Sequence, residues 1–108
     1  MSMTMSEYQA AAMRTSQRHQ HQFERLANGA LGLAGEAGEV CDDLKKHLFH
    51  GHALEREDLL RELGDVLWYI TLLADAVCCS LDDVAKANID KLKARYPEGF
   101  DTERSQNR

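Results

Sequence analysis

Residues 59–78 read LLRELGDVLWYITLLADAVC. Within them Leu59, Leu63, Val66, Ile70, Leu73 and Val77 alternate steps of four and three, the spacing that gathers apolar side chains into one stripe along an α-helix. The pattern predicts a helix over about Leu54 to Cys78, with a stripe long enough to serve as the central core element.

Outward from this segment the chain stays helical. Its only proline is Pro97, and its seven glycines fall at 29 to 38, 51, 64 and 99, which leaves long stretches free of breakers. Toward the N-terminus, Phe49 to Ala53 with His50, Gly51 and His52 forms a short connection, and the segment before it reads as a helix over about Leu31 to Phe49. A connection this short folds the two helices into an antiparallel hairpin. A first helix is expected over about Ser6 to Leu26. Toward the C-terminus, Ser80 followed by Asp83 matches an N-cap with an acidic residue three positions on, opening a helix over about Leu81 to Arg95. Leu81, Val84, Ala85 and Leu92 supply its apolar face, and the stretch Pro97, Glu98, Gly99 ends it. The polar tail DTERSQNR is expected either to fray or to dock onto another subunit. The expected fold is an all-α four-helix bundle with a central antiparallel hairpin, assembled as an oligomer.

Bulk properties set bounds. The chain has 108 residues, room for one domain over 1–108 with a core at about 8–100 and a polar tail at 101–108. A domain this small has little core to spare for a pocket, which favours oligomers. Apolar residues make up 44% and charged residues 29%, and no apolar run approaches a membrane span. A net charge of −5 argues against binding a nucleic-acid polymer, which needs clustered cations on the phosphates. The three cysteines, Cys41, Cys78 and Cys79, form neither a disulfide framework nor a CxxC motif and read as small core residues. The first residues, MSMTMSEYQAAAMRTS, lack the basic start and apolar stretch of a secretory signal, so a reducing cytoplasm is the expected location.

The chemistry lies in the carboxylates. Glu36 and Glu39 are three residues apart and Asp43 follows at four, so all three project from one strip beside the apolar face of Leu33, Val40 and Leu44. Asp58, Glu62 and Asp65 make a second strip bordering the Leu59 to Val77 stripe. Any one ExxE or ExxD on a helix is ordinarily solvated surface. Here two such pairs stand at a hairpin-compatible separation, at the edge of a core, with no Lys or Arg at i+4 from Glu36, Glu39 or Glu62. Clustered carboxylates repel one another unless a cation sits among them, and hard oxygen donors suit Mg²⁺ or Mn²⁺.

These residues resemble the MazG-like nucleotide pyrophosphohydrolases, all-α enzymes with an ExxE, spacer, ExxD pattern. In this chain the pattern reads GLAGEAGEVCDDLKKHLFHGH and then LLRELGDVLWYITLLA, with 22 residues between Glu39 and Glu62. With the later NIDKLKARYP stretch, the resemblance spans about Tyr8 to Phe100. It implies Glu36, Glu39, Glu62 and Asp65 as metal ligands, with Glu36 or Glu39 orienting an attacking water. Many relatives carry EExxE where this chain has Gly35, which leaves the number of metal ions open. The implied activity is Mg²⁺-dependent hydrolysis of nucleoside triphosphates to monophosphate and pyrophosphate, and the implied assembly is a homodimer or homotetramer.

Asn88, Lys91 and Arg95 lie three and four apart on the last helix, and the similarity to the family's NxxK segment marks them for triphosphate contacts. One of Lys45 and Lys46 is expected to reach a phosphate, with Lys46 carried as the candidate. Arg14, Thr15, His19 and Gln22 make the first helix unusually polar, so that it either lines the base and sugar end of a pocket or packs on another subunit. Trp68 reads as core or interface before base platform, and His50 and His52 as turn residues. Two other classes compete. A di-iron carboxylate bundle needs Glu-x-x-His pairs that this chain lacks, and a non-catalytic helical oligomerisation or regulatory module would leave both acidic strips as solvated faces.

Overall fold

The computed structural model describes residues 2–16 and 21–108. It contains α1 (Met5–Met13), α2 (Gln22–His50), α3 (Arg56–Ala76), α4 (Leu81–Arg95) and a short α5 (Thr102–Gln106). Among the described residues there is no strand beyond an isolated bridge between Pro97 and Gly99. The molecule is organised around the antiparallel pair α2 and α3. At its apex Gly51 adopts φ 74°, the left-handed conformation a C-terminal glycine accepts without a Cβ penalty. The N–H groups of Gly51 and His52 both donate to the Lys46 carbonyl, and His47 Nδ1 lies 2.8 Å from the His52 carbonyl. His52 thus sits in the turn, as its sequence context suggested, whereas His50 closes the last turn of α2.

Helix α2 begins nine residues before the expected Leu31 and runs straight through its glycines. The reason is packing. A Cβ on Gly29 would sit 2.7 Å from the Leu73 side chain, and one on Gly32 would overlap the Tyr69 ring. Glycine here lets two helices approach closely, a tertiary gain that exceeds its propensity cost of about 1 kcal/mol. The expected first helix divides instead. Thr15 Oγ1 and Ser16 Oγ turn back onto the Ala12 and Met13 carbonyls at 2.6 and 2.9 Å, a side-chain competition that closes α1. Gln22, assigned to the first helix by sequence, opens α2, and His19 lies outside the described residues.

The α3–α4 corner is closed by hydrogen bonds from Cys78 N to the Asp75 carbonyl (3.0 Å) and from Cys79 N to the Ala74 carbonyl (2.8 Å). This is a Schellman motif with Cys78, at φ 61°, in the position usually held by glycine. Ser80 and Asp83 form the expected capping box, each side chain accepting from the other's backbone N–H at 3.0 and 3.1 Å. Helix α4 then leaves α3 at 97°. Gln9 of α1 fastens the corner, donating to the Cys79 carbonyl and accepting from Leu81 N.

The deepest core is smaller than the stripe predicts. Thr71 and Leu72 are fully enclosed, and Ala12, Gly29, Ala74, Ala76 and Leu81 are the other buried residues among those described. Thr71 satisfies its hydroxyl on the Leu67 carbonyl. Leu63 and Val77, at the stripe's flank and end, are 46% and 49% exposed. On α4, Val84, Ile89 and Leu92 are likewise exposed. Cys41 and Cys78 also lie at the surface rather than in the core, because one sits on the outer side of α2 and the other caps α3; Cys79 is half-buried. The tail forms α5, held back on α4 by Arg104 Nε donating to the Arg95 carbonyl and by stacking of Tyr96 on Phe100. Among the described residues, no single helix is long and apolar enough to cross a membrane.

Candidate active site

The contacts of Gly29 with Leu73 and Gly32 with Tyr69 fix the register of α2 against α3. Carried one turn further, that register sets Glu36 level with Asp65, and these two line one cleft together. The next turn sets Glu39 level with Glu62. Close to that level, Glu62 stands within hydrogen-bonding reach of Asp43 and feels the charges of Asp43, Glu39 and Asp58. The two strips foreseen from spacing therefore meet across the hairpin, and all four predicted metal ligands belong to the facing surfaces.

Glu62 is the electrostatic centre of the cluster. Its hydrogen-bonding proximity to Asp43, then burial, then repulsion from Asp43, Glu39 and Asp58 push its carboxyl up to about 7. Its Oε2 is buried and finds no hydrogen-bond partner in the protein, an arrangement that disfavours the ionised carboxylate. Asp43 was part of the acidic strip but not of the predicted ligand set. Its contact with Glu62 follows from the helix–helix register, which spacing along one helix does not specify.

Among the described residues, no three His, Cys, Asp or Glu side chains converge closely enough to hold a metal ion in the conformations they adopt. The donor chemistry nevertheless fits a hard divalent cation. The facing groups are carboxylates, and one buried oxygen among them, Glu62 Oε2, is unmatched by any donor of the protein.

The cleft beside Glu36 and Asp65 encloses about 320 Å³ and is completed by Trp68 and Tyr69. Trp68 is half-buried, and its Nε1 donates to Thr15 Oγ1 at 2.9 Å and the Ala12 carbonyl at 3.2 Å. It meets Tyr69 edge-on, with ring centroids 5.0 Å apart and planes at 82°. Burial, together with the nearby Asp65, raises the phenol of Tyr8 on α1 above its usual value. Three polar residues of the first segment thus have intramolecular partners. Thr15 takes Trp68, Gln22 Nε2 takes the Ala76 carbonyl at the end of α3, and Arg25 pairs with Asp75 at 2.6 Å.

The predicted substrate contacts divide. Lys46 lies beside the acidic strip, bonded to Asp42 at 2.9 Å, and the fields of Asp42, Asp43 and Glu39 raise its ammonium above its ordinary value. Lys45 is 3.6 Å from the same Asp42. A second cavity of about 130 Å³ opens at the hairpin apex, lined by Asp43, Lys46, His52 and Asp58 among others. Arg14 lines a different cavity with Arg25 and Asp75. Asn88 and Lys91 are exposed on α4, and Arg95 faces α5. Within one chain these three are not brought to the carboxylates, because α4 turns away from α3 at the Ser80 corner.

Comparison with known proteins agrees with the sequence pattern. Residues 25–100 match the family described as the MazG nucleotide pyrophosphohydrolase domain. The Gene 37 protein of Mycobacterium phage L5 is 38% identical over 81 residues, which cover 71% of each chain. The uncharacterized protein YvdC of Bacillus subtilis (strain 168) is 37% identical over 68 residues, covering 63% of this chain and 64% of that one. No solved structure matches. The family match spans most of the chain, including both acidic motifs and the hairpin that joins them, so this protein belongs to the MazG nucleotide pyrophosphohydrolase family.

Proposed function

We propose that this protein hydrolyses nucleoside triphosphates, deoxynucleotides included, to a nucleoside monophosphate and pyrophosphate. The observation that carries the reading is the meeting of the two acidic motifs across the hairpin, with the buried, unmatched Glu62 oxygen at the centre. Glu36, Glu39, Glu62 and Asp65 would hold Mg²⁺ or Mn²⁺, which supplies charge neutralisation to the phosphate oxygens. Glu36 or Glu39 orients a water toward the α-phosphorus and accepts its proton. The new P–O bond forms from water as the bond to the β-phosphate oxygen breaks, and pyrophosphate departs. Phosphoryl chemistry of this kind depends on positioning and electrostatics, so no nucleophilic side chain is needed. Lys46, beside the strip, compensates charge on the departing phosphates.

Asn88, Lys91 and Arg95 belong to this reading through assembly. Val84, Ile89 and Leu92 of α4 and Leu31 of α2 leave large apolar side chains exposed on the single chain. A homodimer or homotetramer would cover them and let one chain's α4 approach another chain's acidic groove; Arg14 would contribute from the α1 end. A cytoplasmic location accords with the free cysteines. The same exposed surface also favours a second reading, a non-catalytic oligomerisation or regulatory module.

One assay separates the two readings. The purified protein is incubated with ribo- and deoxynucleoside triphosphates in Mg²⁺ or EDTA, and the products are resolved by chromatography. Metal-dependent release of monophosphate with pyrophosphate is expected. Diphosphate with orthophosphate would refute the bond assignment, and no turnover of any nucleotide would favour the module.

A further inference from the structure

We propose that the cleft beneath Trp68 and Tyr69 is the nucleobase subsite, with the substrate lying along the α2–α3 groove, base at the aromatic end and departing pyrophosphate toward Lys46. This rests on the triphosphate reading above and gives it a direction. The cleft's four lining residues combine two carboxylates of the acidic groove, Glu36 and Asp65, with two aromatic rings. Trp68 follows Asp65 by three residues, a rise of about 4.5 Å along α3. That spacing suits a ribose between an α-phosphate at the carboxylates and a base at the ring.

The rings are held before any ligand arrives. The Trp68 N–H is bonded to Thr15 Oγ1 and the Ala12 carbonyl, and the Tyr69 ring packs into the space that Gly32 leaves open. A ring fixed in this way loses little rotamer freedom on binding. With its N–H already engaged, Trp68 offers a base only its π-face, and every base has a face to stack on it. Contact with Trp68 should therefore strengthen binding of purines and pyrimidines alike. The opposite end of the groove has different chemistry. Its cavity of about 130 Å³ is smaller, and Lys46 supplies an ammonium where a phosphate rather than a base would be stabilised.

Trp68 is the protein's only tryptophan, so intrinsic emission reports on this residue directly. Emission is followed as adenosine or uridine monophosphate is added with Mg²⁺, with ribose 5-phosphate and pyrophosphate as ligands lacking a base. Both mononucleotides should give a saturable change, and the two base-free ligands none. An equal response to ribose 5-phosphate, or no response to either mononucleotide, overturns the proposal. In steady-state assays Trp68→Leu should raise KM about 10-fold for adenine and uracil nucleotides alike with kcat within twofold, and Trp68→Phe should restore KM. A wild-type enzyme that hydrolyses triphosphates beside a Trp68→Leu variant of unchanged KM refutes the base subsite alone, whereas a wild type without hydrolysis refutes the triphosphate reading. Should the leucine variant fail to fold by circular dichroism, the emission titration of the wild type still decides.

Discussion

The two halves of the α2–α3 pair share one register and one helix partner, yet their chemistry is opposite. In the half near the α2 N-terminus, Gly29 and Gly32 bring the helices close enough for Leu73 and Tyr69 to fill the space between them. In the half toward the hairpin apex, Glu36, Glu39 and Asp43 face Glu62 and Asp65, and close approach creates repulsion that pushes the Glu62 carboxyl up to about 7. The first half holds the helices together. The second half uses that rigidity to keep like charges near one another, an arrangement a cation would relax. Glycine spacing makes the contrast sharper, since a Cβ at Gly35 or Gly38, beside the acids, would meet nothing within 4 Å.

The largest expected effect comes from the acidic half. Glu39→Gln or Asp65→Asn should lower triphosphate hydrolysis by about 100-fold or more, with helical circular dichroism unchanged. Retained turnover in both variants would show that the cluster is not the reactive centre. In the packed half, Gly32→Ala should destabilise the fold by about 2 kcal/mol in denaturant titrations, because an aromatic ring and its helix must shift. A neutral outcome would mean that the close approach at Tyr69 is unimportant to stability.

A third test concerns pH. The Glu62 carboxyl rises from its ordinary 4.5 to about 7 in the folded protein, so the folded state binds this proton more tightly than the unfolded chain does. Its contribution to stability is complete below about 4.5 and is lost as pH climbs through 7. In EDTA, the Tm should therefore fall between about pH 5 and pH 7.5, and Glu62→Gln should flatten that slope. The facing groups Asp43, Glu39 and Asp58 cause the shift, and Mg²⁺ should oppose the loss at the upper end. A Tm slope identical in wild type and Glu62→Gln would remove Glu62 as its source. The smallest effect is expected at Gly35→Ala, which should stabilise α2 by up to about 1 kcal/mol through helix propensity alone. The opposite signs at Gly32 and Gly35, three residues apart in one helix, are the most compact test of the contrast.

By itself the sequence determined the helical content, the hairpin, the Ser80 corner and the four facing acids of the candidate site. These depend on spacing within one helix, on breakers and on capping chemistry, all of which are local. The division of the first helix was less legible, because Thr15 and Ser16 act by turning onto carbonyls within a stretch that otherwise has helical periodicity. Only the tertiary structure decided that Gly29 and Gly32 extend α2 rather than interrupt it, since the compensating contact comes from Leu73 and Tyr69 on another helix. It likewise decided that Asp43 becomes the partner of Glu62, that Trp68 borders the carboxylates, and that α4 turns away from them. The physical reason is common to all of these. A one-dimensional pattern specifies which face of a helix a residue occupies, whereas interhelical distance and register determine which residue it meets.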